Sequence, residues 1–204
     1  MSIMPCKAKK FEETRPELGR CGIGDIDAIL SVQELARMIR SAGIRFDTLP
    51  DTPFDAPFGL GSGAGEIFGS TGGVTEADLR TVYEKVKGNP LPNHDIKAVR
   101  GFDGIKEAAV DINGLQVKAA VAHGLGNARK IMEMIKPGKA DYHFIEVMAC
   151  PGGCFGGGGN PLKQNAMMKS RLDAVYRLDK ELPPHAARSP PWPKVSTVTG
   201  SAFD

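Results

Sequence analysis

Strands and helices alternate along the second half of the chain. A two-residue hairpin turn is written at Asn113-Gly114, and an apolar strand-like run leads straight into a glycine-rich loop. Together these predict an α/β fold: a parallel sheet flanked by helices, with a β-hairpin.

The elements follow in order. Residues 1–24 mix basic, acidic and proline residues and read as a loop. A helix is predicted over 31–43, "SVQELARMIRSAG", where Ser31 and Glu34 have capping-box spacing. Leu35, Met38 and Ile39 share one apolar face, and Gly43 supplies the stop. Residues 46–65 have the Pro, Asp and Gly density of a long loop. Thr75 opens a second helix, with carboxylates in its first turn, lysines in its last and Gly88 beyond, an order that suits the helix dipole.

The period then changes. "IKAVRG" (96–101) reads as a short strand, and 105–124 as two strands joined at Asn113-Gly114. A helix over 127–138 has Asn127 as its N-cap and Ile131, Met134 and Ile135 on one face. "YHFIEVMA" (142–149) reads as a buried strand with His143 as a satisfied core residue, and 162–182 as the last helix. Residues 183–204 have no period and form a tail, so the domain is expected to end at 182.

Composition narrows the function. With 41% hydrophobic and 25% charged residues the chain is an ordinary globular sequence. A net charge of +2, with its Lys and Arg scattered among carboxylates, makes no case for nucleic acid. No apolar run reaches the length of a membrane span, and the N-terminus lacks a signal-peptide core. A cytoplasmic location is therefore expected, with the periplasm left open. Four cysteines do not make a disulfide scaffold.

Glycine is the anomaly. The 25 glycines concentrate in 59–73 and 152–159, the second inside "MACPGGCFGGGGNP" (148–161). Ordering glycine costs backbone entropy and adds nothing to a core, so the two runs point to close backbone approaches. Neither run has the spacing of a dinucleotide or P-loop phosphate cradle. A redox pair would place two residues between its cysteines, and here there are three; a structural zinc site would need a second pair. Two buried thiols in a turn remain a bland reading. An iron–sulfur cluster explains more, because thiolates must converge on a large anionic body whose sulfides accept backbone N–H groups. "MPC" at 4–6 repeats the chemistry of "MACPGGC", a methionine preceding the cysteine by two residues in each.

"MPCKAKKFE" (4–12) and "MACPGGCFGGGGNP" match in full the patterns MPCxxKxxE and MACPGGCxxGGGxP. They resemble the second and third cluster-binding motifs of the iron-only ([FeFe]) hydrogenases. "GAGEIFGSTGGVTEADLR", "VRGFDGIKEA" and "VAHGLGNARK" resemble the catalytic domain of the same family, and the likeness runs from residue 1 to about 182.

The resemblance implies a partial hydrogenase catalytic fold, mostly its second lobe. It implies an H-cluster: a [4Fe–4S] cubane bridged through a cysteine to a two-iron subcluster carrying CO, cyanide and an azadithiolate. Cys6, Cys150 and Cys154 would be cubane ligands, with Cys154 the bridge. Lys9 would donate to a cyanide, Glu12 would orient Lys9, and Met4 and Met148 would pack on the two-iron unit. Phe68 and the glycines around it and Gly153 would close the pocket. The implied reaction is reversible reduction of protons to H2, with electrons from ferredoxin or another iron–sulfur carrier, or through NAD(P)-linked hydrogenase subunits. The family's first motif, TSCCPxW, has no counterpart here, so the expected partner is the N-terminal lobe. The isolated chain is expected to be weak or inactive, with apolar surface left open. The alternative is an iron–sulfur-binding relative without H2 chemistry, serving cluster assembly or sensing.

Overall fold

The computed structural model describes residues 1–20, 22–53, 61–161 and 165–182. Strand β1 (Ser2–Met4) is followed by helix α1 (Ala8–Glu12), the small antiparallel pair β2 (Gly19–Arg20) and β3 (Ile23–Gly24), and strand β4 (Ile29–Ser31). The first segment is thus not a plain loop: β1 and β4 pair in parallel, with Met4 opposite Ser31. Three-residue strands carry too little periodicity to be read from sequence.

Helix α2 (Val32–Ser41) starts with the expected capping box, closed at both ends by Ser31 and Glu34. Gly43 follows with φ 71°, the left-handed stop a glycine suits. No residue of α2 is buried, and Met38 is 50% exposed. Its apolar side borders an open groove of about 600 Å³ with Ile44 and Phe46.

Helix α3 (Gly63–Glu66) is short, and α4 (Gly73–Lys87) starts at Gly73, before Thr75. "IKAVRG" is not a strand. It forms a 3-10 turn over Lys97–Val99 with Val99 fully buried, because no neighbouring strand offers it a ladder.

Strands β5 (Ile105–Ile112) and β6 (Leu115–His123) form the expected hairpin, with Asn113 at φ 56° and Gly114 at φ 82°. Those signs are the ones a type I′ turn requires. Helix α5 (Leu125–Ile135) begins after Gly124. Asn127 therefore lies inside the first turn, and its Nδ2 donates to the His123 carbonyl instead of capping. Strand β7 (Phe144–Met148) pairs in parallel with β6, giving a mixed sheet ordered β5-β6-β7. It is half-buried rather than buried, and His143 is exposed, its Nδ1 accepting from the Lys118 amide. Helix α6 (Asn165–Glu181) closes the order, and the tail lies outside the described residues. None of the helices described is long and apolar enough to cross a membrane.

The two sheet faces have different fates. On one, Ala120 and Ala122 of β6 meet Ile131 of α5, with Ile105, Ala128, Met134, Ile135 and Ile145 around them. Full burial of Ile131 alone contributes about 2–3 kcal/mol. Side chains alternate along a strand, so the other face receives the row Lys106–Val121–Glu146 across the three strands, and beyond it His123 beside Met148. That face packs against α4, and its far end opens into the cysteine loop.

Candidate functional site

Two loops meet at the carboxyl ends of parallel strands. The first leaves β1 as Met4-Pro5-Cys6 and turns at once into α1, which carries Lys9 and Glu12. The second leaves β7 at Met148 and runs through Cys150, Gly152, Gly153 and Cys154. Gly152 and Gly153 both have φ near +77° (78° and 77°), and the Gly153 amide donates to the Cys150 carbonyl at 3.0 Å. Two consecutive left-handed residues reverse the chain sharply, which side chains with Cβ resist.

The glycine run after Cys154 lies against the first loop. The Gly159 amide donates to the Pro5 carbonyl at 2.8 Å, and a Cβ on Gly157 would overlap that same oxygen. Gln33, at the start of α2, receives this run: its amide donates to the Gly159 carbonyl at 3.1 Å and its Nε2 to the Asn160 carbonyl at 2.6 Å. Asn160 Nδ2 reaches back to the Cys154 carbonyl at 2.8 Å.

The earlier glycine stretch forms another wall. Ser70 bridges to Gly153, whose Cβ position is 2.8 Å from both the Thr71 amide and Met148 Sδ. The Cβ position of Gly69 is 3.8 Å from Cys154 Cβ. The close approaches expected of the two glycine runs are therefore made by each run to a cysteine loop, and partly to each other.

The Cys154 thiol feels the result. It is pushed above the ordinary thiol range, by burial first, then by Cys150 and Cys6, while Lys9 pulls it down. Cys154 keeps an exposed side even so. Residues from both loops thus act on one sulfur.

Lys9 Nζ stands 2.5 Å from Glu12 Oε2, both side chains about two-fifths exposed (42% and 41%). With Met4 they border a small cavity of about 180 Å³. Phe68 is half exposed (49%), one residue before Gly69. Cys21 lies outside the described residues.

Three residues that sequence reasoning left without a role hold these walls. Glu146 accepts from the Gly72 amide at 2.7 Å, the Thr75 amide at 2.8 Å and Thr75 Oγ1 at 2.9 Å, so a strand carboxylate caps α4. Lys106 Nζ donates to the Thr71 carbonyl at 2.7 Å and the Gly101 carbonyl at 3.0 Å. Burial lowers its pKa to about 8, with Glu146 and Asp103 opposing. His123 contacts the cysteine turn itself. A carboxylate inside the apolar run "FIEVM" was a legible signal for Glu146; Lys106 and His123 had none of comparable strength.

Among the described residues, one group of metal-capable side chains brings its ligand atoms within 4.8 Å of one another: Glu76, Asp95 and Asp179. Guanidinium groups already serve it. Arg80 pairs with Glu76 at 2.7 Å and Asp179 at 2.8 Å, and Arg100 pairs with Glu76 at 2.6 Å and Asp95 at 2.8 Å while stacking on Tyr176. The cysteines are not gathered as tightly as ligands of a single ion. A cubane assigns each thiolate to a different iron, so it needs convergence without that closeness.

A family model for the iron only hydrogenase large subunit, C-terminal domain, matches residues 1–158. The chain belongs to this family. Over 182 residues it is 54% identical to the periplasmic [Fe] hydrogenase large subunit of Nitratidesulfovibrio vulgaris, covering 89% of this chain and 42% of that protein. It is 44% identical to the NADP-reducing hydrogenase subunit HndD of Solidesulfovibrio fructosivorans, covering 94% and 33%. Mouse cytosolic iron-sulfur assembly component 3 is 28% identical, covering 92% and 41%. Among solved structures, an apo variant of [FeFe]-hydrogenase HydA1 from Chlamydomonas reinhardtii superposes with a TM-score of 0.74 at 35% identity, covering 93% of this chain and 56% of that one. The iron-only hydrogenase domain is thus represented here by a partial α/β fold, spanning less than half of these curated relatives and about half of the solved chain.

Proposed function

We propose that this hydrogenase-family chain is an iron–sulfur-binding unit with no H2 chemistry of its own, its cluster held by Cys6, Cys150 and Cys154. The observation that carries this reading is the close meeting of the Cys6 loop with the Cys150–Cys154 turn and its glycine run, where the Gly159 amide donates to the Pro5 carbonyl and Gly153 and Gly157 leave no room for a Cβ. The donor set fits. Burial, more than the neighbouring cysteines, disfavours the Cys154 thiolate, and iron bound at that sulfur would favour it. Glycines 153, 157 and 159 keep Cβ atoms out of the walls. When bound, such a cluster supplies one-electron redox chemistry tuned by its hydrogen bonds and exposure. The protein's part is to hold three thiolates and limit water. The non-catalytic reading is supported by the one tight group of metal-capable side chains among the described residues being carboxylate, Glu76, Asp95 and Asp179, and not cysteine.

A second reading is favoured by Lys9, whose charge reaches the same thiol. In it the chain contributes one wall of a hydrogenase site, and a separate lobe completes it. Cys154 would then hold the two-iron subcluster to the cubane, with Met4, Met148, Phe68 and Gly153 as its lining. Glu12 steers the Lys9 ammonium toward an anionic ligand there. Electrons come from a ferredoxin-like carrier or NAD(P)-linked subunits.

Anaerobic reconstitution of the full chain with iron and sulfide, with and without the N-terminal lobe of a related hydrogenase, separates the two readings. Iron and labile sulfide bound in equal amounts, with no H2 from a reduced dye in either mixture after addition of the two-iron precursor, is the expected result. Sustained H2 evolution would overturn the first reading, and absence of iron uptake would overturn both.

A further inference from the structure

His123 sits where β6 ends, opposite Met148 at the end of β7. Its ring is about nine-tenths buried (9% exposed) and spans two backbone groups. The Gly152 amide, between the two cysteines of the turn, lies 3.2 Å from Nδ1. The Phe102 carbonyl oxygen lies 3.0 Å from Nε2. A backbone N–H can only donate, so Nδ1 must be the bare nitrogen and Nε2 must carry the proton that goes to Phe102. The two contacts fix one neutral tautomer.

The turn needs this hold. Gly152 sits at φ +78°, and a Cβ there would come 2.6 Å from Met168 Cε and 3.2 Å from the Phe102 ring. Its amide is buried, and a buried amide without a partner costs about 1–3 kcal/mol. His123 is the side chain that supplies the acceptor. The His123 backbone is itself held, its amide donating to the Gly104 carbonyl at 3.1 Å and its carbonyl accepting from Asn127 Nδ2 at 2.9 Å.

We propose that His123 is a positioning residue for the cysteine turn: by accepting the Gly152 amide at Nδ1, it holds Cys150 and Cys154 in the orientation that faces Cys6. This rests on the cluster-binding reading for its purpose, and on the two hydrogen bonds for its geometry.

Two substitutions divide the ring's contacts. In His123→Asn, Oδ1 takes the place of Nδ1 and can still accept the Gly152 amide. In His123→Gln, the amide reaches the Nε2 position and leaves Gly152 without its acceptor. Amide hydrogen exchange in the metal-free full chain reads the geometry. Gly152 exchange should stay near the wild-type rate in His123→Asn and rise about tenfold in His123→Gln, the worth of one hydrogen bond. The iron concentration for half-loading should rise about tenfold or more in His123→Gln and recover in His123→Asn, as for other residues behind a metal ligand. Equal behaviour of the two variants in exchange would overturn the proposal. Wild-type exchange behaviour combined with failure to load iron would instead overturn the cluster reading alone. Should either variant fail to fold, ring nitrogen chemical shifts of the wild-type chain decide: a bare Nδ1 supports the proposal, and a protonated Nδ1 overturns it.

Discussion

The Gly159 amide donates to the Pro5 carbonyl at 2.8 Å, tying the loop that carries Cys6 to the run that follows Cys154. Segments from opposite ends of the described chain meet as backbone on backbone, with no side chain between them. This answers what the glycine run is for: the contact distance excludes Cβ, and the entropy spent on ordering glycine is offset by two loops closing on one space.

Gly157→Ala should therefore damage the site where Gly158→Ala does not. A Cβ at 157 overlaps the Pro5 oxygen, while at 158 it meets only the flexible Lys7 side chain at 3.6 Å. Overpacking of this kind costs about 1–3 kcal/mol. A lower melting temperature and reduced iron uptake for Gly157→Ala, beside near-native Gly158→Ala, is the expected pattern; equal effects would contradict the clamp.

Arg80→Met should destabilise the chain by about 3–5 kcal/mol, because Glu76 and Asp179 stay buried without their partner. Lys118→Met, which breaks an exposed pair with Asp141, should change little. Urea denaturation of both variants checks the contrast. A small loss for Arg80→Met would mean that Arg100 alone balances the carboxylates.

Lys106 sets an alkaline signature. Its folded pKa of about 8 lies below that of an unfolded lysine, so the unfolded chain binds more protons between them. Its charged form in the folded state thus costs stability below pH about 8, and that cost is relieved as pH rises toward about 10. Tyr142 and Tyr176, both raised to about 12, act in the opposite sense only above pH 10. The raised Cys154 thiol opposes the Lys106 effect from about pH 9, so the comparison is between variants: wild-type midpoints should climb from pH 8 to 10 relative to those of Lys106→Met. Parallel profiles for the two would refute the shift.

Glu34 sets an acid signature. The Ser31 amide, then Lys10 and the Ser31 hydroxyl, lower its pKa to about 2. The capping box is then fully in place above the ordinary carboxylate range and is lost as pH falls through about 2. A side-chain NMR titration should give that midpoint; one near 4.5 would show the box open in solution.

Local signals were legible in the sequence and long-range ones were not. The capping box, the Asn113-Gly114 hairpin and the glycine stop at Gly88 are written in neighbouring residues, and each formed. "IKAVRG" carries strand-like residues, yet Val99 is buried under Gly72, and Arg100 is drawn into the carboxylate network. His143 sits in an apolar run but on its exposed edge. Asn127 had N-cap chemistry, but Gly124 at φ 79° let the helix begin earlier. At the site, the cysteines and glycines declared themselves by motif. Glu146, Lys106 and His123 act on backbone groups brought near only by folding, as the separation of 71 positions from Thr75 to Glu146 illustrates.

Iron-edge X-ray absorption on the reconstituted full chain is the most direct test of three cysteines sharing one cluster. An all-sulfur first shell with a short iron–iron vector, both lost in Cys6→Ser, Cys150→Ser and Cys154→Ser alike, is the result expected here. Iron in an oxygen shell that survives all three substitutions, as binding at Glu76, Asp95 and Asp179 would give, would contradict it.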